Sequence, residues 1–401
     1  MKFIFVTLVL VMLNACGSSP SSVLPPLALT PLNNSVEVSR VWKFTAGEGV
    51  SDHYLKLTPA MHNNVGYAID SKGFLQSFNV TTGRISWEQN LNFNVASGLI
   101  LSNNHLYIGT SKGELISLKL EKESVKEVWR AQLTSEILAK VAISQNILVA
   151  KTIDGRVYGL DSNTGIQVWV HDRTVPRLTL RGSSSPLISN DMVLIASDNG
   201  KLSALSLKQG KLLWETTVSI VKGRNQLERI IDIDLTPVVV EDVVYIAGYQ
   251  GRIAAVKLVS GELIWARDFS TYSGLYVDAF RVYVSDAMGQ VWALNRYNGS
   301  TLWRQDKLLR RKLTAPNIYH GHVVVGDYDG YLHWLTLDDG KLVARKQINK
   351  SEVIVDDEPS DPGLDLLFSK WSNILVKPLV ANDLLISLDR SGHLEAFKTK
   401  K

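Results

Sequence analysis

In this 401-residue chain, candidate metal ligands and catalytic residues occur without the further residues that such sites need. His320 and His322 stand two residues apart, but no cysteine and no third ligand accompany them at zinc-site spacing. The run from Asp327 to Gly330 has the opening of a calcium loop without its later acidic residue. Neither a Gly-rich phosphate loop nor a Gly-x-Ser-x-Gly elbow occurs. The pattern favours a protein that is not an enzyme and that uses no metal and no cofactor.

One residue is placed for a covalent modification. Cys16 is the only cysteine in the chain, and Lys2, an apolar run and Leu13-Asn14-Ala15 precede it, as in bacterial lipoprotein signals. The pattern predicts that residues 1–15 are a signal peptide cut before Cys16, which is then acylated. An ordinary signal peptide with an accidental cysteine is the alternative. Residues 16–37, rich in Ser, Pro and Asn, are expected to form a flexible tether.

A pattern of two glycines and a tryptophan recurs along the rest of the chain. A glycine is followed by a second glycine ten residues later and by a tryptophan four residues after that, as in Gly155, Gly165 and Trp169. Complete copies begin at Gly73, Gly155, Gly200, Gly251 and Gly289, and altered copies begin at Gly113, Gly330 and Gly392. A period of about 40 residues indicates a repeat architecture.

Each repeat has the strands of one propeller blade. Between Pro186 and Glu215, four short apolar or alternating runs are separated by turn residues, which predicts four antiparallel strands. Prolines 14 residues before the first glycine, at Pro59, Pro186, Pro237, Pro316 and Pro378, suit the start of an innermost edge strand. The last copy lacks its fourth strand, and the run from Val41 to Phe44 supplies one with the missing Trp42. The sequence predicts an all-β protein in which residues 38–401 form one eight-bladed β-propeller, closed by this N-terminal strand.

Charge narrows the choice of partners. The chain has 43 Lys and Arg against 39 Asp and Glu, which is too even to indicate nucleic acid. The one basic cluster, Lys307 to Lys312, is interpreted as a solvated connection between blades, with a patch for an anionic ligand as the alternative.

Two long connections between blades carry the candidate binding residues. All such connections lie on one face of a propeller, and those over 170–185 and 215–236 link consecutive blades and end near the hub. The first could present Leu178 and Leu180 together, and Arg181 could pair with Asp232 or Asp234 of the second. Hub packing with a salt bridge and a partner-docking patch both fit these residues.

The repeat resembles the tryptophan motif of the pyrroloquinoline-quinone dehydrogenases, as in Gly159-Leu160-Asp161-x-x-x-Gly165-x-x-x-Trp169. Those enzymes are also eight-bladed propellers, with the quinone over the central channel. Many of them have a pair of adjacent cysteines beneath the cofactor, which a chain with Cys16 alone cannot supply. The resemblance therefore supports the fold and not the catalysis. A quinoprotein-like dehydrogenase stays an alternative, as does a periplasmic propeller that binds a glycan or another ligand.

The lipoprotein signal, the eight repeats and the two long connections together resemble the BamB family, lipoprotein subunits of the bacterial outer-membrane β-barrel assembly machinery. The most specific matches are Leu178-x-Leu180-Arg181-Gly182, Asp232-x-Asp234-x-Thr-Pro237, and the run from Val324 to Trp334. The chain departs from the family mainly between Lys346 and Trp371, where an acidic run with prolines is expected to be a mobile surface loop.

The resemblance implies a non-enzymatic scaffold that assists the folding and insertion of outer-membrane proteins. It implies that Leu178, Leu180, Arg181, Asp232 and Asp234 bind the periplasmic POTRA domains of the central barrel subunit. Other subunits and unfolded outer-membrane proteins are further expected partners. Lipoprotein sorting retains chains with an aspartate after the acylated cysteine in the inner membrane. The glycine that follows Cys16 here therefore indicates the periplasmic face of the outer membrane.

Overall fold

The computed structural model describes residues 24–50, 55–172, 184–219, 235–348 and 374–400. Within these residues the chain forms eight antiparallel sheets of four strands each. No helix among them is long and apolar enough to cross a membrane. The prediction of an all-β, eight-bladed propeller is confirmed.

The first four blades follow one another along the chain. Blade 1 consists of β2 (Ala60–His62), β3 (Val65–Ile69), β4 (Phe74–Asn79) and β5 (Ile85–Asn90), and blade 2 of β6 (Ile100–Ser102), β7 (His105–Gly109), β8 (Glu114–Leu120) and β9 (Val125–Gln132). Blade 3 consists of β10 (Ala142–Ser144), β11 (Ile147–Lys151), β12 (Val157–Asp161) and β13 (Gln167–His171), and blade 4 of β14 (Leu187–Ser189), β15 (Met192–Ala196), β16 (Lys201–Ser206) and β17 (Leu212–Thr217).

The other four blades complete the ring. Blade 5 consists of β18 (Val238–Val240), β19 (Val243–Ala247), β20 (Gly251–Lys257) and β21 (Leu263–Phe269), and blade 6 of β22 (Leu275–Val277), β23 (Arg281–Ser285), β24 (Val291–Asn295) and β25 (Thr301–Gln305). Blade 7 consists of β26 (Asn317–Tyr319), β27 (His322–Gly326), β28 (Tyr331–Thr336) and β29 (Leu342–Gln347). Blade 8 consists of β30 (Leu379–Ala381), β31 (Leu384–Leu388), β32 (His393–Thr399) and β1 (Val38–Thr45).

The hydrophobic pattern of a strand follows its place in the blade. Second and third strands are packed between two neighbouring blades, so both of their faces are buried and their sequences are almost continuously apolar, as in β15. The short innermost strands are half-exposed, because one side of each faces the central channel. Outermost strands alternate between half-buried and exposed residues, as β5 does.

Tryptophan joins each blade to the next through a glycine turn. The indole of Trp42 in blade 8 lies over Gly83 in the turn between β4 and β5, and a Cβ on that glycine would stand 2.6 Å from the ring. The φ of Gly83 is 70°, so the position favours glycine on two grounds. The Nε1–H of Trp42 donates to the Val80 carbonyl at 2.9 Å. The same pair of contacts recurs for Trp129 on Gly165, Trp169 on Gly210, Trp214 on Gly261, Trp265 on Gly299 and Trp303 on Gly340.

The N-terminal strand closes the ring as predicted. β1 pairs with β32 from Val38 opposite Thr399 to Thr45 opposite His393, with one irregularity between Arg40 and Trp42. Trp42 is buried and packs with Phe44 and Phe78 on the joint between blades 8 and 1. The first and last strands of the propeller therefore complete one sheet, so the ring has no gap there.

Trp42→Ala is expected to lower the free energy of unfolding by about 3–5 kcal/mol, because it removes a buried indole from the closing joint. The control is Val41→Ala on the same strand, whose side chain is 47% exposed and which should cost less than about 1 kcal/mol. Chemical denaturation measures both. Equal, small losses for the two variants would show that β1 does not hold the ring closed.

Candidate partner-binding face

The connections between blades and the turns between second and third strands share one face, here called the connection face. In most of these turns the first side chain caps the turn. In blade 6, Asp286 accepts backbone hydrogen bonds from Met288 at 2.9 Å and Gln290 at 2.8 Å. These caps hold the turns of different blades in a similar shape. The blades therefore differ on the connection face mainly in the connections between them.

All six site residues expected from the sequence lie outside the described residues. Cys16 lies before residue 24, Leu178, Leu180 and Arg181 lie in 173–183, and Asp232 and Asp234 lie in 220–234. The acidic run of the expanded last connection, in 349–373, lies outside them as well. The structure describes instead the residues at which each connection begins and ends.

The first long connection ends on a buried lysine. Ser184, the first described residue after 173–183, is buried, and its hydroxyl donates to the Ala196 carbonyl at 2.9 Å. Lys151 at the end of β11 donates to the Ser184 hydroxyl at 3.2 Å and to the same carbonyl at 3.1 Å. Its ammonium group lies 3.9 Å from the Asp198 carboxylate. Blades 3 and 4 thus hold this end of the connection together.

The second long connection begins at Ser219, whose side chain caps the turn of blade 5 in place of a residue of that turn; we call it the substitute cap. Blade 5 has Gly248 where the other turns have an Asp, Ser or Thr side chain, so its turn has no cap of its own. The hydroxyl of Ser219, the last described residue before 220–234, accepts from the Arg252 backbone N–H at 3.0 Å. That amide corresponds to the one of Gln290 in blade 6. The connection is therefore fixed to blade 5 where it leaves blade 4.

Both connections meet the same turn of blade 4, Ser197 to Gly200. Asp198 in this turn lies beside Lys151 at the end of the first connection, and the Gly200 carbonyl accepts from the Ser219 backbone at 3.0 Å at the start of the second. Sequence reasoning expected the two connections to be neighbours. It missed these anchors, and the only visible signal for one of them was the glycine at 248 in place of a capping residue.

Two lysines flank the channel on the connection face. Lys140 and Lys377 each stand just before an innermost strand, and both are half-buried. Burial lowers the pKa of Lys140, and it lowers the pKa of Lys377 to about 8. The Lys377 ammonium group lies 4.8 Å from the ring centroid of Tyr276 in blade 6.

The histidine and aspartate motifs of blade 7 have structural partners. His320 bonds to Thr399 at 2.8 Å and to Asp383, both in blade 8. Hydrogen bonds from Lys398 and His320 lower the pKa of Asp383 to about 2. Asp327 accepts from Arg311 at 2.7 Å. Among the described residues, no group of three His, Cys, Asp or Glu side chains is arranged to hold a metal ion.

Sequence comparison matches the chain to one family over most of its length. The family model for outer membrane protein assembly factor BamB matches residues 71–305. The chain is 33% identical to the outer membrane protein assembly factor BamB of Yersinia pestis, over 96% of both chains. It is 32% identical to that of Escherichia coli strain K12, over 85% of this chain and 89% of the relative. With the Pseudomonas aeruginosa relative the identity is 36% over the same two shares.

Solved structures agree on the architecture. BamB from Moraxella catarrhalis superposes with a TM-score of 0.77 at 25% identity, covering 90% of this chain and 100% of that one. The quinohemoprotein alcohol dehydrogenase of Comamonas testosteroni gives a TM-score of 0.65 at 11% identity, covering 90% of this chain and 76% of that one. At such low identity the second match concerns the fold alone.

Ser219→Ala is expected to lower the free energy of unfolding by about 1–3 kcal/mol, because it leaves the Arg252 amide at the blade 5 turn without an acceptor. Exchange of that amide with deuterium should accelerate. The control is Ser260→Ala, which removes an exposed turn hydroxyl and should change the stability by less than about 0.5 kcal/mol. If Arg252 exchange is unchanged, the substitute cap is not what holds this turn.

Proposed function

We propose that this chain, which belongs to the family of outer membrane protein assembly factor BamB, is a scaffold that assists the folding and insertion of outer-membrane proteins. The observation that carries the proposal is the 33% identity to an assembly factor over 96% of both chains. A match of that extent covers nearly the whole chain, and so nearly the whole propeller.

The scaffold is proposed to act without catalysis. The relatives that match over most of the chain are named assembly factors, whereas the quinoprotein dehydrogenases share the propeller at 11% identity. A propeller fold accommodates many functions, so the likeness to the dehydrogenases does not transfer their chemistry. A quinone-dependent reaction is therefore not the favoured alternative.

The two long connections are proposed to bind the POTRA domains of the central barrel subunit. Leu178 and Leu180 would supply apolar contact, and Arg181 would supply a planar guanidinium group for a carboxylate of the partner or for Asp232 or Asp234. The support from the described residues is that the ends of both connections meet at the Ser197–Gly200 turn of blade 4. A surface built from two connections on one turn can present apolar and charged groups side by side.

A lipid on Cys16 is proposed to hold the chain at the periplasmic face of the outer membrane. The thiol is the group that acylation modifies, and the chain has no other cysteine. The relatives are named for outer-membrane assembly, which agrees with this location. The anchor would keep the scaffold in the compartment where its clients arrive.

Arg181→Glu is expected to reduce co-purification with the central barrel subunit at least tenfold while leaving the melting temperature nearly unchanged. Truncating a charged hydrogen-bonding group at an interface typically costs about 2–5 kcal/mol, and reversal adds repulsion. The control is Arg84→Glu, an exposed arginine in a turn of blade 1 on the opposite face. Undiminished co-purification of the folded Arg181→Glu protein would remove this residue from the binding surface.

Cys16→Ser is expected to abolish acylation and to deplete the protein from the outer-membrane fraction. Fractionation and incorporation of labelled palmitate measure the two effects. The blades should fold as before, because the described propeller begins well after Cys16, and the β signal in circular dichroism checks this. A variant that still incorporates palmitate would contradict the anchor.

A further inference from the structure

The N-terminal segment before β1 is docked along blade 7. The Leu27 N–H donates to the Leu309 carbonyl at 3.0 Å, near the connection face. The Ser35 N–H donates to the Val343 carbonyl at 2.8 Å, near the start of the outermost strand β29. Residues 24–37 therefore run from the connection face along the outer side of blade 7 to the opposite face, where β1 begins.

Apolar and charged contacts both hold this segment. Leu29 and Leu32 pack against the core cluster shared by blades 6 and 7, which includes Trp303 and Leu342. Arginines donate to carbonyl groups along the segment, among them Arg345 to Thr30 at 3.0 Å and Arg311 to Leu27 at 3.2 Å. The contacts span two faces of the molecule, which fixes the path of the segment as well as its position.

Arg311 is itself held from inside the propeller. Its Nε–H donates to Asp327, a fully buried carboxylate that also accepts from His333 at 2.9 Å. Burial would raise the pKa of Asp327, but the hydrogen bond from His333 and the charge of Arg311 outweigh it and hold the pKa below its usual range. The docking groove of the segment is thus backed by a buried ion pair.

The described part of the segment begins beside a turn of blade 6. The Arg310 side chain donates to the Pro25 carbonyl at 2.6 Å, and the Arg310 N–H donates to the Met288 carbonyl at 2.7 Å. Leu24 is 66% exposed and Met288 is 58% exposed. Two large apolar side chains therefore project into solvent where the described segment begins.

The same place carries exposed cations. Residues 304–312 contain five basic residues and one acidic residue, Asp306, and the buried Arg311 among them is paired with Asp327 and Asp329. Lys307 and Lys312 are exposed in the connection from blade 6 to blade 7, on either side of Arg310. We call Leu24, Met288, Lys307, Arg310 and Lys312 the exit patch. It combines exposed apolar groups with exposed cations on the connection face.

We infer that the exit patch lies against an anionic phospholipid surface, the membrane in which this chain is anchored. The inference rests on the proposed acylation of Cys16, which stands eight positions before Leu24, a span of at most about 29 Å when extended. Exposed basic residues beside a lipid anchor add electrostatic attraction to anionic headgroups, and exposed apolar side chains add interfacial contact. The patch would orient the propeller, with blades 6 and 7 nearest the lipid.

A single fluorescent label tests the orientation. Because the natural cysteine is acylated, Met288→Cys gives the lipoprotein one free thiol, and Lys208→Cys places the matched control label on the opposite face at blade 4. The labelled lipoproteins are reconstituted into vesicles of phosphatidylethanolamine and phosphatidylglycerol that contain a headgroup spin label. We expect quenching several-fold stronger at position 288 than at 208. Equal quenching at the two positions would overturn the inference.

Charge reversal tests the electrostatic part. Lys307→Glu with Lys312→Glu should reduce the excess quenching at position 288 by more than about tenfold, because two attractive charges near an anionic surface are lost and two repulsive ones replace them. High salt and replacement of phosphatidylglycerol by phosphatidylcholine should act in the same direction. The control reverses Lys208 and Lys211, two exposed lysines of the opposite face, and should change nothing. If the quenching at position 288 changes neither with lipid charge nor with the Lys307 and Lys312 reversals, the tether alone accounts for it and the exit patch is refuted.

The outcome is separable from that of the proposed function. Co-purification with the barrel subunit depends on the connections at blades 3 to 5 and reports on the Arg181 variant. Failure of the lipoprotein to incorporate into vesicles would refute the anchor, and with it the inference. Incorporation without preferential quenching would refute only the exit patch.

Discussion

The propeller depends on one repeated contact, an indole of one blade lying on a glycine turn of the next. The indole ring lies so close to the turn glycine that no Cβ would fit there, and the indole N–H donates to a carbonyl of the same turn. Apolar packing alone would allow neighbouring blades to slide, but a donor aimed at one carbonyl fixes their register. Six joints among the described residues use this contact, so the spacing of Gly and Trp along the chain sets the geometry of the ring.

The two joints that lack this contact are held by other interactions. The turn of blade 2 is longer and has no glycine, and there Gln89 of blade 1 exchanges hydrogen bonds with the Val125 backbone at 2.8 and 3.1 Å. Between blades 7 and 8 no turn exists to receive a tryptophan, because the last two strands of blade 8 are the two ends of the propeller chain. Ala344 stands in the Trp place, and Trp334 on the adjacent strand fills the space completely buried.

Features that recur in every repeat could be predicted from the sequence, whereas contacts made by single residues could not. The eight blades and the closing role of Trp42 follow from spacings that recur. The docking of 24–37 does not, because its composition is typical of a solvated tether and only Leu29 and Leu32 mark the buried side. The cap from Ser219 was not predicted, because Arg252, whose amide donates to it, is 33 residues away in the chain. The candidate binding residues Leu178 to Arg181 and Asp232 to Asp234 were placed by resemblance, and the described residues establish only where their connections are anchored.

The contacts that fix the long connections and those that fix the N-terminal segment lie on the same face. Ser184 and Ser219, which border 173–183 and 220–234, are fixed at blades 3 to 5, and the described N-terminal segment begins beside Arg310 between blades 6 and 7. Both lie on the connection face, because that is the face on which the chain passes from one blade to the next. With the proposed lipid tether joining the ring beside blades 6 and 7 and the proposed binding surface at blade 4, a rigid ring would keep the two at a fixed spacing on one face. The rigidity comes from the indole joints, so the packing that stabilises the fold would also set that spacing.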